Sequence, residues 1–302
     1  MRKQQSQASC RIGLLHLYFL VFRLFFVCSR FLFFKRGIMS RTFQKDASVL
    51  SNEQIQGDYY RIVLEQPEMA EAASPGQFLH VQIPGLPHRI LRRPFSISDV
   101  DLVAGSLSIV YKIVGVGSER LARIEPGATV NLIGPRGNGF SALPVEGQSI
   151  LLGGGYGCAA VFLLAKRAPK PPLVMLGGRS AEDIIMVPEF EALGCEVQIA
   201  TDDGSRGRQG FVTLLLEQFL LQERGVSRLA ACGPLGMLES CGRLCEQYCL
   251  EGELSLDSIM CCGMGACFAC VVKKKANNEQ GWEYVRSCQE GPVFKADEVY
   301  WD

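Results

Sequence analysis

The chain has 302 residues, of which 48% are hydrophobic and 21% are charged, so most of it is globular and long enough for two or three domains. Its 31 basic and 31 acidic side chains cancel to a formal net charge of zero. With no basic face and no RNA-type motif in the sequence, nucleic acid is not expected as a partner.

The chain begins with a hydrophobic and basic leader, which we place at residues 1–45. Its apolar run, 12–34, is long enough to cross a membrane, but Arg23 in the middle costs about 2.5–3.5 kcal/mol on insertion scales. No small-residue cleavage site follows, so a signal peptide fits poorly. A membrane anchor, a buried helix and translated upstream DNA remain open. We favour the last, with the true start near Met39 and no membrane partner, because mixed-charge sequence begins there.

Residues 46–147 contain short runs rich in β-branched and aromatic residues, separated by turn signals at regular intervals. This pattern predicts a small antiparallel β-barrel. The predicted strands are 59–64, 78–83, 107–114 and 129–133, with another through Arg93, and a short helix is predicted over 119–124.

Several groups in this barrel suit a pyrophosphate. They are Arg93, Pro94, Phe95 and Ser96 on one strand, Val110, Tyr111 and Lys112 on another, and Gly117 and Ser118 before the helix. A guanidinium, a hydroxyl and a helix start built of small residues can all bind phosphate oxygens. Taken alone, such an Arg is more often a surface ion pair, such a Tyr a half-buried strand aromatic and such a glycine pair a turn, so the barrel alone does not decide the ligand.

Residues 148–250 change to alternating buried strands and helices, which predicts a doubly wound parallel sheet. Its predicted strands are 149–152, 173–176, 196–200 and 228–232, and its helices are 158–167, 211–222 and 236–249. Ligands of such sheets bind at the carboxyl ends of the strands. Two motifs follow strand ends here, namely Gly153, Gly154, Gly155 and Gly157, and Cys232, Gly233 and Pro234.

These motifs predict a nucleotide site by position, but the dinucleotide fingerprint is imperfect. The acidic residue expected about 20 residues on, for the ribose, is absent, and Arg179 stands near that place. A tight turn explains the glycines equally well. On the last helix, Cys241, Cys245 and Cys249 recur every four residues; we favour a buried apolar stripe over a metal site.

The C-terminal segment, residues 251–302, carries the most specific motif. Cys262, Cys267 and Cys270, with Cys288 downstream, have the C-x4-C-x2-C…C spacing of plant-type [2Fe–2S] proteins. Zinc is the alternative, but zinc usually takes paired C-x2-C knuckles and only one such pair exists in the sequence. Thirteen cysteines without a convincing export signal fit a reducing cytoplasm rather than disulfides.

The order of barrel, nucleotide sheet and cysteine loop resembles the ferredoxin–NADP reductase superfamily, and within it the electron-transfer subunits of type B dihydroorotate dehydrogenase. Residues 93–96 are similar to the flavin motif R-P-x-S, and 110–112 and 117–118 to further flavin contacts. Residues 153–157 and 232–237 resemble the nicotinamide motifs, and the four cysteines with 288–294 resemble the cluster signature.

The resemblance implies an α+β multi-domain chain: an antiparallel FAD-binding barrel (46–147), a doubly wound NAD-binding α/β domain (148–250) and a small [2Fe–2S] domain (251–302). It implies a partner subunit that carries FMN and oxidises dihydroorotate, in an assembly of two copies of each. Electrons then reach NAD through the cluster and FAD, because flavin exchanges both hydrides and single electrons. NAD rather than NADP is implied by the resemblance only, since Arg206 and Arg208 could hold a 2′-phosphate.

Two other functions remain open. One is the small subunit of an NADPH–ferredoxin transhydrogenase, a similar family that has an aspartate at the position of Cys262. The other is a redox sensor or zinc-stabilised adaptor that kept the fold without an enzymatic role. A bound flavin and NADH-dependent dye reduction would separate the enzymes from the adaptor.

Overall fold

The computed structural model describes residues 42–86, 88, 90–222, 225–256 and 258–301. The predicted leader lies outside these residues apart from 42–45, and the first strand begins at Phe43. In the part of the chain that is described, no helix is both long and apolar enough to cross a membrane.

Six strands close into an antiparallel barrel with neighbour order β1-β2-β5-β4-β3-β6. They are β1 (Phe43–Gln56), β2 (Tyr59–Glu65), β3 (Phe78–Val81), β4 (Arg93–Asp101), β5 (Ser106–Lys112) and β6 (Thr129–Arg136). Every second residue of β2 and β5 points inward, so that Ile62, Leu64 and Ile109 are at most 1% exposed. The predicted barrel is confirmed.

Two short helices belong to the barrel, α1 (Pro67–Ala72) and α2 (Val116–Ala122). The second begins three residues before the predicted start at 119. Ser118 explains the difference, because its Oγ accepts the Val114 N–H at 2.9 Å and donates to the Gly115 carbonyl at 3.0 Å. These local bonds close the first turn earlier than the apolar pattern indicates.

The second half is a seven-stranded sheet of order β10-β9-β8-β7-β11-β12-β15. Its strands are β7 (Gln148–Gly154), β8 (Leu173–Gly178), β9 (Val197–Thr201), β10 (Arg208–Gln209), β11 (Val226–Cys232), β12 (Gly252–Ser255) and β15 (Val293–Lys295). All neighbours are parallel except β12 and β15. The predicted doubly wound sheet is confirmed.

Helices cover both faces of this sheet. They are α3 (Gly157–Lys166), α4 (Val187–Ala192), α5 (Val212–Gln222) and α6 (Leu235–Gln247), with a 3₁₀ turn at Ala181–Asp183. Leu151 packs into the core under α3 and α4, whereas Ile150 and Leu152 pack into the opposite core under α5 and α6. Two separate cores therefore lie on either side of one sheet.

The C-terminal segment contains the hairpin of β13 (Val271–Lys275) and β14 (Trp282–Arg286). The chain enters this segment from β12 and leaves it through β15, so two strands of the nucleotide sheet lie beyond residue 250. The domain limits 46–147, 148–250 and 251–302 stay a prediction. On α6, Cys241 and Cys245 are buried as the stripe interpretation expects, whereas Cys249 lies past the helix end and is exposed.

Candidate functional site

The flavin motif opens β4, next to the start of α2. The Arg93 side chain lies against Gly117, since a Cβ placed on Gly117 would be 3.4 Å from Arg93 Nε. The structure therefore brings together the predicted guanidinium and the predicted small-residue helix start. The Ser118 hydroxyl is already engaged by its own turn, so its contact with a ligand stays a prediction.

The residues predicted on β5 divide between the two sides of the strand. Val110 is buried in the core shared with the nucleotide sheet, and Tyr111 is buried inside the barrel. The Tyr111 Oη donates to Asn52 Oδ1 at 2.9 Å, and the ring stacks on Tyr60 with centroids 5.9 Å apart. Burial raises the pKa of Tyr111. The Tyr111 side chain is thus a core group, and a flavin contact at this position would use its backbone.

Lys112 points to the junction between barrel and sheet, where its Nζ lies 2.8 Å from Asp183 Oδ1. The Tyr59 hydroxyl donates to the same oxygen at 2.6 Å and lies 3.5 Å from the position a Gly155 Cβ would take. Burial raises the pKa of Asp183, but the bonds from Lys112 and Tyr59 outweigh it and the net shift is downward. Sequence patterns missed this group, because Asp183 lies in a loop and Tyr59 reads as an ordinary strand residue.

The two predicted nicotinamide motifs touch each other at the carboxyl ends of neighbouring strands. Gly153 and Cys232 are paired in register on β7 and β11. A Cβ on Gly154 would lie 2.7 Å from Pro234 Cδ, and one on Gly157 would lie 2.3 Å from the Cys232 carbonyl oxygen. Side chains would separate the loops, so glycine is required for this close approach.

The arginines considered for a 2′-phosphate are directed elsewhere. Arg206 Nη1 donates to the Ile184 carbonyl at 3.4 Å, and Arg208 is hydrogen-bonded to Gln218. Arg179 is exposed after β8. The choice between NAD and NADP therefore does not follow from these three side chains.

The four predicted cluster cysteines come together as two pairs. The Cys262 and Cys267 side chains are hydrogen-bonded to each other, as are those of Cys270 and Cys288. Within the described ranges, no three His, Cys, Asp or Glu side chains are grouped to hold a metal ion. A [2Fe–2S] cluster instead needs two thiolates on each of two irons, and two pairs supply that donor set. The residues present fit the cluster.

Backbone N–H groups of the loop point at the cysteine sulfurs. The Met264 N–H donates to Cys262 Sγ at 3.4 Å. Burial raises the pKa of Cys262, but the N–H groups of Met264, Cys267 and Ala266 outweigh burial and lower it to about 6. Burial, with the Cys270 thiol, raises the pKa of Cys288 to about 12. Iron binding would deprotonate such a thiol outright.

The cysteine loop packs against the outward face of barrel strand β3. Phe78 packs against Met260, Cys270 and Cys288. His80, on the same outward face, is 1% exposed, and its Nδ1 lies 2.6 Å from where a Gly263 Cβ would be. Among the described residues neither ring nitrogen has a partner with good hydrogen-bond geometry, but backbone groups of Arg92 and Cys262 lie close to the ring. Burial and the nearby charge of Arg92 lower the pKa of His80 to about 4, so the ring is neutral.

This outward face of β3 is adjacent to the flavin motif. Phe78 is paired with Ser96, and His80 with Pro94, across β3 and β4. Directly opposed residues share a face of a sheet with Cβ atoms about 4.5–5.5 Å apart. The sequence did not reveal this role of Phe78 and His80, which read only as alternating strand residues. Their contacts depend on a loop about 180 residues further along the chain.

Two protein families match the chain. Residues 46–140 match the oxidoreductase FAD-binding domain, and residues 257–300 match the iron-sulfur cluster binding domain of dihydroorotate dehydrogenase B. Both matches agree with the geometry described above, because the first spans the barrel with Arg93 and the second spans all four cysteines. They confirm FAD and the iron–sulfur cluster as the cofactors of this chain.

Relatives of known name match nearly the whole described region. The "Dihydroorotate dehydrogenase B (NAD(+)), electron transfer subunit" of Fusobacterium nucleatum is 35% identical over 84% of this chain and 98% of its own length. The protein of the same name from Desulforamulus reducens is 35% identical over 87% of this chain and 100% of its own length.

Solved structures share the fold. An NADH-dependent reduced ferredoxin-NADP oxidoreductase has a TM-score of 0.73 and 28% identity, over 84% of this chain and 90% of that chain. The cytochrome b5 reductase domain of Ulva prolifera nitrate reductase has a TM-score of 0.58 and 20% identity, over 69% and 94%. The second likeness shows the ferredoxin-reductase-like fold alone. Taken with the sequence relatives and the cysteine loop seated on the flavin barrel, these findings place the chain in the family of electron transfer subunits of dihydroorotate dehydrogenase B (NAD(+)).

Proposed function

We propose that this chain carries electrons between an FMN-containing dihydroorotate dehydrogenase subunit and NAD, through one [2Fe–2S] cluster and FAD, in pyrimidine synthesis. The names of its relatives support both the role of electron transfer subunit and the use of NAD. The observation that carries the proposal is the position of Phe78. This residue packs against Cys270 and Cys288 and is paired with Ser96 of the flavin motif.

Each part of the chain has its own task in this proposal. Residues 46–147 hold FAD, 148–250 hold the nicotinamide nucleotide and 251–302 hold the cluster. When bound, FAD exchanges a hydride with the nicotinamide and single electrons with the cluster, which joins two-electron to one-electron chemistry. The protein supplies the placement of these groups. The cysteine loop packs on β3, and the flavin motif lies on the neighbouring strand β4.

The individual residues bind and orient these groups. Arg93 neutralises a flavin phosphate beside Gly117, and Ser96 contacts the flavin on the face that it shares with Phe78. Residues 153–157 and 232–234 offer closely apposed backbone to the nicotinamide nucleotide, since no side chain fits where the two loops touch. Cys262 and Cys267 bind one iron, and Cys270 and Cys288 bind the other.

The cysteine loop also supplies the face for the catalytic partner. Cys267 is exposed, and three apolar side chains along the same loop are exposed as well: Ile259 by 85%, Met264 by 52% and Phe268 by 60%. Exposed apolar side chains grouped in this way mark interaction surfaces. We place the FMN subunit here, in an assembly with two copies of each chain.

The test is a co-purified complex of this chain with an FMN-containing dihydroorotate dehydrogenase subunit, assayed for dihydroorotate-dependent reduction of NAD+. Losing a residue that supports a metal ligand typically lowers activity roughly 10–100-fold. Because Cys267 is a ligand itself in this proposal, we expect Cys267→Ala to lower the rate of NAD+ reduction by at least that factor. Cys249→Ala is the matched control, because Cys249 is also exposed but lies outside the loop. A complex that holds all its cofactors yet transfers nothing from dihydroorotate to NAD+ would contradict the proposal.

A second candidate function is transhydrogenation between NADPH, NADH and ferredoxin. It is favoured by the structural likeness to the NADH-dependent reduced ferredoxin-NADP oxidoreductase, at 28% identity. The same preparations decide between the two: reduction of NADP+ by NADH and reduced ferredoxin would support the second, and reduction of NAD+ by dihydroorotate supports the first.

A further inference from the structure

Three successive carbonyl groups of the cysteine loop are bound by side chains from outside the loop. The first donor comes from the end of barrel strand β6, and the other two come from the end of β14 and from the turn after it, on either side of the fourth cysteine. In chain order the bonds are Arg136 Nε to the Gly263 oxygen at 3.1 Å, Gln289 Nε2 to the Met264 oxygen at 2.9 Å, and Arg286 Nη1 to the Gly265 oxygen at 3.0 Å. We call these three donors the carbonyl clamp.

The clamp fixes the direction of three N–H groups. A peptide unit is planar, and in its trans form the C=O of one residue and the N–H of the next point in opposite directions. Carbonyls held outward therefore turn the following N–H groups of Met264, Gly265 and Ala266 inward. The contacts of all three N–H groups agree with this direction. The N–H groups of Met264 and Ala266 donate to the sulfur of Cys262, and that of Gly265 donates to the sulfur of Cys288.

The donors are themselves held in place. Arg286 forms two bonds with the Glu290 carboxylate, at 2.5 and 3.2 Å, and its guanidinium lies 5.1 Å from the centre of the Phe268 ring. The Gln289 side chain lies directly on Gly265, where a Cβ would be 2.6 Å from Gln289 Cγ. Donors with fixed positions orient a loop more sharply than solvent can.

We propose that Arg136, Gln289 and Arg286 are positioning residues for the cluster, which hold the loop so that its N–H groups point at sulfur and thereby raise the reduction potential. Such N–H dipoles stabilise the more negative, reduced cluster. The inference rests on the proposed function, because it assumes that the four cysteines bind a [2Fe–2S] cluster.

The test measures the reduction potential of the cluster in the anaerobically reconstituted full chain with FAD bound, followed by electron paramagnetic resonance. Gln289→Met removes one donor without changing charge, and Arg286→Lys keeps the charge but loses the planar fork. We expect each to lower the reduced-to-oxidised ratio about tenfold at a fixed potential, which is about 59 mV for one electron. Couplings of exchangeable protons, measured by electron–nuclear double resonance, should weaken as well. Gln280→Met, exposed in the β13–β14 turn, is the control that should match the wild type.

The outcomes separate the two proposals. A wild-type chain that binds no iron overturns the proposed cluster itself. The second outcome is that the wild type binds a cluster and that Gln289→Met and Arg286→Lys leave its reduction potential and proton couplings unchanged. This result overturns only the positioning role. If the two variants fold and bind FAD but lose the cluster while Gln280→Met keeps it, the loop cannot hold its orientation without the clamp, which supports the role.

Discussion

Gly263 shows what the cysteine motif demands of a single residue. Its φ of 65° lies in the left-handed region, which side chains adopt only under strain. A Cβ there would also approach His80 Nδ1 to 2.6 Å. The first requirement comes from the loop itself, whereas the second depends on a buried histidine of the barrel.

Gly263→Ala should therefore lose the cluster while the barrel and sheet stay folded. We expect a cost of about 1–3 kcal/mol from the backbone conformation, with the collision against His80 added. The measurement is iron and acid-labile sulfide per chain after reconstitution. Gly281→Ala is a matched control, since its φ is 77° and no described atom lies within 4 Å of the added Cβ. Equal iron content in the two variants would show that His80 does not constrain the loop.

Residues that bind through their own chemistry were predictable, and residues that act through a distant partner were not. Cys262, Cys267, Cys270 and Cys288 are predicted as cluster ligands from their spacing alone. Arg136 could not be found in the same way, because the carbonyl it binds is 127 positions away. No local pattern distinguishes such an arginine from a surface one.

At the scale of elements, strands β7, β8 and β11 were predictable because each contains a continuous apolar run in which both faces are buried. Strand β1 was missed for the opposite reason. Only Ala47 and Val49 among its 14 residues are buried, so its alternation is hidden among polar side chains. The addition of β15 to the sheet was also not predictable, because it is set by where the chain returns after the hairpin.

The 3₁₀ turn at Ala181–Asp183 connects the sheet to the barrel, so its acid should matter for stability. Asp183 is 14% exposed and pairs with Lys112, which is 32% exposed. We expect Asp183→Asn to lower the free energy of unfolding by about 1–2 kcal/mol at pH 7. Glu68→Gln breaks the ion pair between Lys45 and Glu68, whose side chains are 44% and 55% exposed. We expect a much smaller change in the free energy of unfolding for this variant.

The pH dependence of this difference follows from the lowered pKa of Asp183. A carboxyl whose pKa is depressed by folding stabilises the fold above its unfolded pKa, and this contribution is lost as the pH falls through the folded value. The stability of Asp183→Asn and of the wild type should therefore converge in acid, as measured by urea unfolding from pH 7 down to about pH 3. A constant gap across that range would mean that the carboxylate charge is not what joins the two parts.

At the scale of the whole molecule, the flavin motif on β4 and the cysteine loop packed on β3 lie on neighbouring strands of the barrel, whereas the nicotinamide motifs lie at the carboxyl ends of β7 and β11 in the sheet. Loss of the cluster should therefore leave the reaction between FAD and NADH intact. We expect Cys270→Ala to reduce its flavin with NADH within about twofold of the wild-type rate, because Cys270 belongs to the cysteine loop and packs in a small cluster with Phe78, which is not part of the flavin motif. Stopped-flow absorbance of the flavin measures this step.

The same variant should lose electron transfer from the partner subunit, and the two readouts together locate the defect. If flavin reduction by NADH were also lost, the cluster would be structural for the flavin site as well. Cys245→Ala, a buried cysteine on α6 away from the barrel, controls for the removal of a core thiol.

The chain enters the cysteine loop from β12 and leaves it through β15, and both strands belong to the nucleotide sheet, whereas the loop itself is seated on barrel strand β3. Two irons bound there would hold the loop, and the two sheet strands on either side of it, against the barrel. Oxidation that destroys them would leave the core shared by barrel and sheet in place but release the loop, so that oxygen damage should be visible as faster cleavage by a protease within the cysteine loop, before either half unfolds.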